Sequence, residues 1–466
     1  MGKSAVKGKE LIKLGYPGHR SMGLAIQQVL QFYKREKREA LLQIFKDVLA
    51  RPEEFESHPV LGNLVAVLKG GKPLPDNTFL LLETQPSYPI FGKEGIEKGA
   101  IDQMEIAMRL PVAVKGALMP DAHQGYGLPI GGVLATKNAV IPYGVGVDIG
   151  CRMCLSVFPL PSIGIELPTE SLKSLLEAHT RFGYDAFEKP MDDEVLHVSE
   201  FKELGLLKSL KPKAVSQIGS SGSGNHFVEF GLVELPDAQN EWGLPAGTYL
   251  GLLSHSGSRG LGANVAKHYT KLAIDTCRLP KQAKNLAWLD LDSEAGAEYW
   301  MAMNVAGQYA SACHHHIHQR IAKALGEKPL FRVENHHNFA WKEQLSDGTE
   351  VVVHRKGATP AHKGALGIIP GSMTLPGFIV RGKGDAESLN SASHGAGRLL
   401  SRTQAMNSIT QHELNKMLEK KGVVLIGGGL DEAPIAYKNI WEVMESQRDL
   451  VEVLGTFQPK VVRMAE

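Results

Sequence analysis

The chain has 466 residues and a formal net charge of +1. This length allows one large domain or two or three smaller ones, and so small a net charge excludes a global basic surface, which leaves only a local groove for any nucleic acid. Its four cysteines are too few for the disulfide framework of a secreted protein and no apolar stretch is long enough to span a bilayer, so we expect a cytoplasmic protein without a membrane partner.

The N-terminal region is predicted to be helical. Over residues 21–50 the apolar side chains recur at the spacing of one helical face, which predicts one or two amphipathic helices. Glutamate interrupts the basic run from Lys34 to Arg38, so we interpret this run as a solvated face rather than an RNA contact. The stretch GGKPLPDN then indicates a boundary. We therefore predict an N-terminal helical extension over residues 1–80 and one large domain over residues 81–466.

The rest of the chain predicts an α+β fold. From about Pro86 onward, short β-branched runs such as GGVLATKNAVIP and VVVHRKG alternate with glycine-rich turns, and helical stretches such as residues 297–324 intervene. The glycine-rich motifs are spread over this whole region, so one composite site in a fold of mixed sheets and helices is favoured over separate modules.

The segment VGVDIGCRMC offers a carboxylate and a thiolate close together, from Asp148 and Cys151. A thiolate can bridge two metal ions, so this pair is a candidate metal site. Cys151 and Cys154 also form C-x-x-C, but a zinc knuckle needs a second such pair and the chain has none. A redox pair, or two buried cysteines that only pack, remain the alternatives for this segment.

Three later segments each carry histidine at the expected edge of a strand and a loop. They are GSSGSGNHFVEF with Asn225 and His226, LLSHSGSRGLG with His255 and Arg259, and VENHHNFAWK with His336, His337 and Asn338. One such histidine is more often structural than a ligand, but three of them together with Asp148 and Cys151 favour a metal site. By contrast, CHHHIHQR (residues 313–320) places His314 and His318 one helical turn apart without a third ligand in the local sequence, so we interpret that run as structural.

Glycine-rich segments near the C-terminus are typical of phosphate binding. RKGATPAHKG, PGSM and SHGAGR let backbone N–H groups converge on phosphates, and Lys356, Arg398 and Arg259 supply positive charge. Within SHGAGR, His394 stands in an open glycine frame. A neutral imidazole can attack an α-phosphorus to form a phosphoramidate, so His394 is the candidate nucleophile for nucleotidyl transfer.

Together these motifs resemble a known family. PDAHQGYGLPIGGV, VGVDIGC, GNHFVE, HSGSRGLG, HHN, RKGA, PGSM and SHGAGR occur in this order over roughly residues 86–437, as in the RtcB family of RNA ligases. The resemblance implies a single α+β catalytic domain, two Mn²⁺ ions and GTP as co-substrate. It also implies the joining of an RNA 2′,3′-cyclic phosphate or 3′-phosphate end to a 5′-hydroxyl end, in RNA repair or tRNA splicing.

The resemblance also implies residue roles. His394 would become guanylylated, and Arg259, Lys356 and Arg398 would hold phosphates. The implied metal ligands are Asp148, Cys151, His226, His255 and His337, with Cys151 bridging. The implied nucleotide-binding residues are Asn225, His226, Phe227, Val228, Glu229, His337, Asn338, Pro370, Gly371, Ser372, Met373, His394, Gly395, Ala396 and Gly397.

Some positions depart from the family pattern. Thr374 and Gly377 stand where the family has Gly and a nucleotide-contacting Ser, and the tail VVRMAE replaces a Lys-Gly tail, with Arg463 as the candidate substitute. A divergent paralogue is therefore expected, and a ligase that uses another nucleotide or a metal-dependent RNA-end phosphatase or cyclic phosphodiesterase are the alternatives. The implied partners are RNAs with broken ends, such as tRNA halves or cleaved rRNA, and an archease-like activator.

Overall fold

The computed structural model describes residues 6–16, 18–33, 36–69, 77–159 and 168–465. The helices are α1 (Gly8–Leu14), α2 (Gly18–Phe32), α3 (Arg38–Ala50), α4 (Gly62–Leu68), α5 (Lys98–Met108), α6 (Pro142–Val145), α7 (Thr169–His179), α8 (Glu200–Glu203), α9 (Gly205–Gln217), α10 (Arg259–Thr276), α11 (Glu294–Leu325), α12 (Arg402–Ser408), α13 (Gln411–Lys421) and α14 (Ile440–Glu445). Lys34 and Arg35 of the basic run, and the predicted boundary GGKPLPDN apart from Asn77, lie outside the described residues.

The strands are β1 (Ala113–His123), β2 (Ile130–Thr136), β3 (Ala139–Val140), β4 (Arg152–Phe158), β5 (Phe227–Leu235), β6 (Gly247–Ser256), β7 (Leu289–Asp290), β8 (Phe331–His336), β9 (Asn338–Gln344), β10 (Glu350–Lys356), β11 (Ala358–Pro360), β12 (Leu366–Ile369), β13 (Gly377–Gly382), β14 (Ser391–Ser393), β15 (Val424–Ile426) and β16 (Val451–Met464). Short 3-10 helices occur at Pro52–Phe55, Lys93–Gly95, Glu194–His197, Lys281–Leu286, Leu430–Glu432 and Pro434–Ala436. The predicted α+β class is confirmed. Among the described residues, no helix is both long and apolar enough to cross a membrane.

The N-terminal helices form a small core of their own. The predicted amphipathic stretch is α2 and α3, and Leu41, Phe45 and Val48 of α3 are fully buried. They pack against apolar residues of α1 and α4, and the Tyr16 hydroxyl donates to the Phe45 carbonyl over 3.0 Å. Arg38 is about half exposed and pairs with Glu10, as expected for a solvated face. The helical spacing of apolar residues in the sequence therefore correctly predicted the buried face of α3.

This N-terminal unit contacts the body through aromatic rings. The ring of Phe32 on α2 lies edge-on to that of Phe79, with centroids 5.0 Å apart, and Phe79 lies 4.8 Å from Trp288. Phe79 and Leu81 belong to the core of the body. The segment just before residue 81 therefore belongs to the core of the body, and it meets the N-terminal helices through the contact of Phe79 with Phe32.

The largest sheet curls until its edges almost meet. Its strand order is β12-β13-β16-β5-β6-β4-β8, and β15 pairs with β16. Asn335 at the end of β8 ties the two edges together, because its side chain accepts from the Ile368 amide over 2.8 Å and donates to the Ile368 carbonyl over 3.3 Å. One face of this sheet is covered by α7 and α11, and the other face encloses an apolar interior. Alternate residues of each strand therefore enter different environments.

A second sheet carries the remaining motifs. It has the order β1-β2-β10-β9, and β11 pairs with β14 beside it. PDAHQG begins within the last residues of β1, RKGA begins with the last two residues of β10, and SHGAGR begins at the end of β14. The two sheets therefore bring all the recognised motifs toward one region.

Candidate functional site

The five predicted metal ligands lie at neighbouring strand ends. Strands β5, β6, β4 and β8 are consecutive in the large sheet, and their registers align the same ends. His226 directly precedes β5, His255 is near the end of β6, Cys151 directly precedes β4 and His337 directly follows β8. Asp148 lies in the loop between α6 and β4. We call these five residues the front cluster.

Short distances connect the front cluster through one sulfur. Cys151 Sγ lies 3.4 Å from His226 Nε2 and 3.2 Å from His255 Nε2. His255 Nε2 is 3.3 Å from His337 Nε2, and Asp148 Oδ2 is 2.8 Å from His226 Nε2. Two sets of three donors result, Asp148 with Cys151 and His226, and Cys151 with His255 and His337, each within 4.8 Å. The shared residue is Cys151, which suits a sulfur that bridges two cations.

Hydrogen bonds orient one imidazole toward the centre of the cluster. His255 Nδ1 lies 2.9 Å from the Asn225 carbonyl, which can only accept, so Nδ1 carries the proton and Nε2 presents its lone pair. Within the described part of the chain, the buried Nδ1 atoms of His226 and His337 have no hydrogen-bond partner. The front cluster is therefore incompletely satisfied by protein groups alone.

Burial favours the neutral imidazoles of His255 and His337. It lowers the pKa of His255 and of His337 well below the usual value, with further lowering from His226 and His394 respectively. Burial, followed by the nearby Asp148, raises the pKa of the Cys151 thiol. Burial alone would raise the pKa of Asp148, but His226 and Cys151 outweigh it and hold that pKa low. A cation would reverse the effect on Cys151, because it favours the thiolate. The donor set therefore fits two divalent cations.

A cavity of about 320 Å³ opens beside this cluster. Of the fifteen residues predicted to bind nucleotide, twelve line it: Asn225, Phe227, Glu229, His337, Pro370, Gly371, Ser372, Met373, His394, Gly395, Ala396 and Gly397. His226, Val228 and Asn338 do not line it. Alternation along β5 explains Val228, because Phe227 and Glu229 face the cavity and the residue between them faces the opposite side.

His394 is held by a carboxylate that the sequence interpretation had not assigned. Asp121 Oδ2 lies 2.6 Å from His394 Nδ1 and also accepts the His394 backbone N–H over 3.1 Å. Asp121 is fully buried, and although burial opposes its charge, His394 and Lys438 hold its pKa below the usual value. An ionised Asp121 fixes the proton on Nδ1, so Nε2 is the nucleophilic nitrogen. The ring of His394 lies 4.9 Å from that of His337, next to the front cluster.

Arg398 lines the same cavity in a second network. It donates to Glu432 Oε2 over 3.1 Å and to the Asp431 carbonyl over 2.7 Å, and its guanidinium lies over the Tyr437 ring. Glu432 is almost fully buried, accepts from the Tyr437 hydroxyl and forms an ion pair with Arg402. Arg398 is thus a cation fixed at the wall of the cavity.

Arg259 and Lys356 do not line this cavity. Arg259 begins α10, where its guanidinium donates to the Gly183 carbonyl and to Ser220 Oγ. Lys356 is buried, donates to the Tyr126 carbonyl over 2.6 Å and faces the Tyr143 ring. Burial lowers the pKa of Lys356 to about 7. The structure does not bring these two predicted phosphate ligands into contact with the cavity beside His394.

The positions that depart from the family pattern differ in whether they line the cavity. Gly377 lines the cavity, whereas Thr374 is buried outside its lining. Met464 of the tail lines it too, but Arg463 points elsewhere and donates to the carbonyls of Leu176 and Thr180 at the end of α7. The arginine proposed as a substitute for the family's tail lysine is therefore directed away from the cavity.

The C-x-x-C pair does not form a unit. All four cysteines are free thiols, and Cys151 and Cys154 belong to different clusters. Cys154 lies within β4 with its partner Ser254 on β6, on the sheet face that α11 covers.

Several residues that line the cavity, and Asp121, which holds the cavity residue His394, had no role in the sequence interpretation. Asp121 and His123 lie in the recognised motif PDAHQG, and that motif was their only signal. Glu432 and Tyr437 come from a segment after the last recognised motif. Their contact with Arg398 depends on the tertiary fold, and no local sequence pattern predicts it.

The chain is similar to known proteins over most of its length. A family model described as tRNA-splicing ligase RtcB matches residues 103–204 and 199–465. The chain is 32% identical over 399 residues to RNA-splicing ligase RtcB of Escherichia coli strain K12, covering 78% of this chain and 94% of that protein. It is 30% identical over 429 residues to tRNA-splicing ligase RtcB of Methanococcus maripaludis, covering 76% and 89%. It is 31% identical over 416 residues to RNA-splicing ligase RtcB homolog 1 of Entamoeba dispar, covering 74% and 78%.

Proposed function

Because this chain belongs to the RtcB family of RNA-splicing ligases, we propose that it joins an RNA 2′,3′-cyclic phosphate or 3′-phosphate end to an RNA 5′-hydroxyl end. GTP is the co-substrate, two Mn²⁺ ions bind the front cluster, and RNAs with broken ends, such as tRNA halves or cleaved rRNA, are the substrates. The four free cysteines support the expectation of a reducing, cytoplasmic compartment. The N-terminal helices are proposed to shape RNA access, separately from the catalytic domain.

One observation carries this proposal. His394 faces a cavity beside the front cluster with Nδ1 bound to a buried carboxylate, Asp121, at 2.6 Å. A hydrolase that used only metal-activated water would not need a nucleophilic imidazole oriented in this way. The proposal therefore favours covalent transfer of the nucleotide over direct hydrolysis.

The first step is attack by His394 Nε2 on the α-phosphorus of GTP. The P–N bond forms while the P–O bond to the β-phosphate breaks, and pyrophosphate leaves. The imidazole becomes cationic in this step, and the Asp121 carboxylate at its Nδ1–H stabilises that charge. Bound Mn²⁺ would neutralise negative charge on the phosphates.

The next steps pass GMP onward. A cyclic phosphate end is first hydrolysed to a 3′-phosphate. An oxygen of the RNA 3′-phosphate then attacks the phosphorus on His394, the P–N bond breaks, and GMP is transferred to the RNA end. The RNA 5′-hydroxyl finally attacks the activated 3′-phosphate, loses its proton and displaces GMP. Arg398, Arg259 and Lys356 are proposed to hold phosphates, and of the three Arg398 lies at the cavity wall.

The test is covalent labelling. Purified protein is incubated with Mn²⁺ and each α-³²P-labelled nucleotide in turn, and wild type is compared with His394→Ala on denaturing gels. His412→Ala, an exposed histidine on α13, is the matched control. Acid-labile label from GTP that is lost only in His394→Ala is expected, because a P–N bond is cleaved by acid. Label from ATP instead would keep the mechanism and change the nucleotide.

A protein that takes up no label would be either a hydrolase or a ligase that needs a partner. If a 3′-phosphorylated RNA were dephosphorylated, or a cyclic end opened, without labelling of the protein, a phosphatase or cyclic phosphodiesterase would replace the ligase. If label appeared only when an archease-like activator was added, the ligase would stand with that partner required. Labelled His394→Ala protein would overturn the role of His394.

A further inference from the structure

A second group of metal-binding side chains lies on the opposite face of the same strands. Cys154 on β4 and His314 and His318 on α11 have donor atoms within 4.8 Å of one another, and all three are buried. The sequence interpretation had treated this histidine pair as structural because no third ligand lay nearby. The fold supplies that ligand from a strand far away in sequence.

Strand alternation separates this group from the front cluster. Cys154 pairs with Ser254 across β4 and β6, while their neighbours Met153 and His255 pair with each other. Met153, Leu253 and His255 line the nucleotide cavity, whereas Ser254 bonds to the histidines of α11. The two groups of donors therefore face opposite sides of the sheet. We call Cys154, Ser254, His314 and His318 the back cluster.

One hydroxyl oxygen lies between the two imidazoles. Ser254 Oγ is 2.6 Å from His314 Nδ1 and 2.7 Å from His318 Nε2. His314 Nε2 lies 3.1 Å from the Ser256 carbonyl, which can only accept a hydrogen bond. The proton of a neutral His314 is therefore on Nε2, and its Nδ1 presents a lone pair to the centre of the back cluster.

His318 can present a lone pair in the same direction. Its Nδ1 lies 2.7 Å from Ser156 Oγ, and a hydroxyl can rotate either to donate or to accept. With Nδ1–H donating to Ser156, His318 Nε2 is free to bind a cation. Both imidazoles therefore have the outer hydrogen-bond partners that metal-ligating histidines commonly use to fix their orientation.

We propose that the back cluster is a closed structural zinc site, with Cys154 Sγ, His314 Nδ1 and His318 Nε2 as ligands and Ser254 Oγ as the fourth donor. Mixed sulfur and nitrogen donors suit Zn²⁺, which prefers tetrahedral sites of this kind. Binding releases the Cys154 thiol proton to solvent as the S–Zn bond forms. Donors around tetrahedral zinc are about 3.5 Å apart, so the donor atoms of Cys154, His314 and His318 would draw together by up to roughly 1 Å. Ser254 Oγ would move away from the two ring nitrogens by roughly 1 Å.

The site would fasten α11 to the back of the two strands that carry front-cluster ligands. β4 follows directly after Cys151, and β6 contains His255. The competing possibility is a metal-free network in which Ser254 donates to His314 and accepts from His318. That network provides hydrogen-bond partners for the same ring nitrogens. The amount of zinc bound by the protein therefore distinguishes the zinc site from the metal-free network.

The test measures zinc in a chain whose front cluster is disabled. Full-length Cys151→Ala, which removes the sulfur shared by both front sets, is purified with zinc, dialysed against EDTA and analysed by plasma mass spectrometry. We expect about one tightly held zinc ion per chain, and loss of that ion when Cys154→Ala or His318→Gln is added. His315→Ala is the matched control, because His315 is in the same helical run but pairs with Glu334. This control should keep its zinc.

A second readout does not depend on whether the Cys154 variant folds. Cobalt added to the metal-free Cys151→Ala chain should give the sulfur-to-cobalt charge-transfer absorption and the intense visible bands of a tetrahedral thiolate site. A folded Cys151→Ala chain that holds neither zinc nor cobalt would overturn the proposal. So would zinc that persists unchanged after Cys154→Ala. Neither result bears on labelling of His394, which is measured in the wild-type front cluster.

Discussion

The two faces of β4 and β6 carry similar metal-binding side chains, but the two groups differ in whether their ring nitrogens have hydrogen-bond partners. In the front cluster, the buried Nδ1 atoms of His226 and His337 have no partner among the described residues, and the group borders a cavity. In the back cluster, each ring nitrogen of His314 and His318 has a hydrogen-bond partner. Burial and residue type therefore do not separate a candidate reactive centre from a structural one. What separates them is whether the donors are already satisfied and whether a substrate can reach them.

The largest contrast is expected from the two cysteines. Cys151→Ala removes a ligand from both front sets, so Mn²⁺ binding should fail and self-nucleotidylation should fall by more than about 100-fold, with the melting temperature little changed. Cys154→Ala, the same change three residues along the chain, should instead lower the melting temperature and leave most labelling intact. Labelling rates and thermal melts of both variants check this. Full labelling of Cys151→Ala would refute the front cluster as the metal centre.

Asp121→Asn should have the next largest effect. The amide keeps the size of the side chain but removes the charge that stabilises a cationic His394, and its N–H can favour the wrong imidazole tautomer. The rate of GMP-adduct formation should fall roughly 100-fold while metal content stays at the wild-type level. Rapid-quench labelling with metal analysis measures both quantities. An unchanged adduct rate would mean that Asp121 only supports the backbone of SHGAGR.

The sequence predicted the fold class and assembled the front cluster because its signals are local. Each ligand lies in a short motif, with glycine close by for all of them except His337, and the order of those motifs carried the resemblance. The sequence was less informative about which residues line the cavity. The motif predicts all of Asn225–Glu229 as nucleotide-binding, whereas a strand presents only alternate residues to one side. Residue type also suggested that Arg259 and Lys356 share the phosphate site, whereas their hydrogen bonds direct them elsewhere.

The back cluster could not be assembled from the sequence. His314 and His318 are separated by one helical turn, but their third ligand is some 160 positions away on β4. The contact depends on how α11 crosses the sheet and on which face of β4 Cys154 occupies. Neither is encoded in a local pattern. Asp121 is a similar case, because it meets His394 only through the pairing of two distant segments.

Substitution of Lys356 should have a smaller, pH-dependent effect on the free energy of unfolding. Burial lowers its pKa to about 7 from 10.5, so between these values the unfolded chain holds a proton that the folded chain lacks. Stability from this residue therefore rises with pH across that window, is lost as pH falls from 10.5 to about 7, and changes little at lower pH, where both states hold the proton. Lys356→Met should be the more stable protein near pH 6, and wild type should approach it by about 1 kcal/mol or more near pH 10.

Urea unfolding of both proteins across this pH range measures the difference. The exposed Lys137→Met is the matched control, and its pH profile should follow that of wild type. A constant difference between Lys356→Met and wild type would contradict a buried, readily deprotonated lysine. It would favour a bound anion or a water path that keeps the ammonium charged in the folded protein.

Loss of the N-terminal helices should change chemistry least. Among the residues that the structure describes, the cavity lining begins at His123 and the front cluster at Asp148, so none of the described residues before 77 belongs to either. Deleting residues 1–76 keeps Phe79 and Leu81, which pack in the body, but exposes Phe79 where Phe32 had covered it. Self-nucleotidylation should stay within about twofold of wild type, while stability falls modestly through the lost aromatic contact.

The full-length Phe32→Ala variant distinguishes loss of the Phe32–Phe79 contact from loss of the helices themselves, because it weakens that contact and keeps the helices. If the extension shapes RNA access, ligation of long RNAs should fall in the deletion and much less in Phe32→Ala, with GMP labelling equal in both. Loss of labelling in a deletion protein that remains folded by circular dichroism would contradict this. The extension would then support the nucleotide cavity from a distance, and the catalytic domain could not be defined without it.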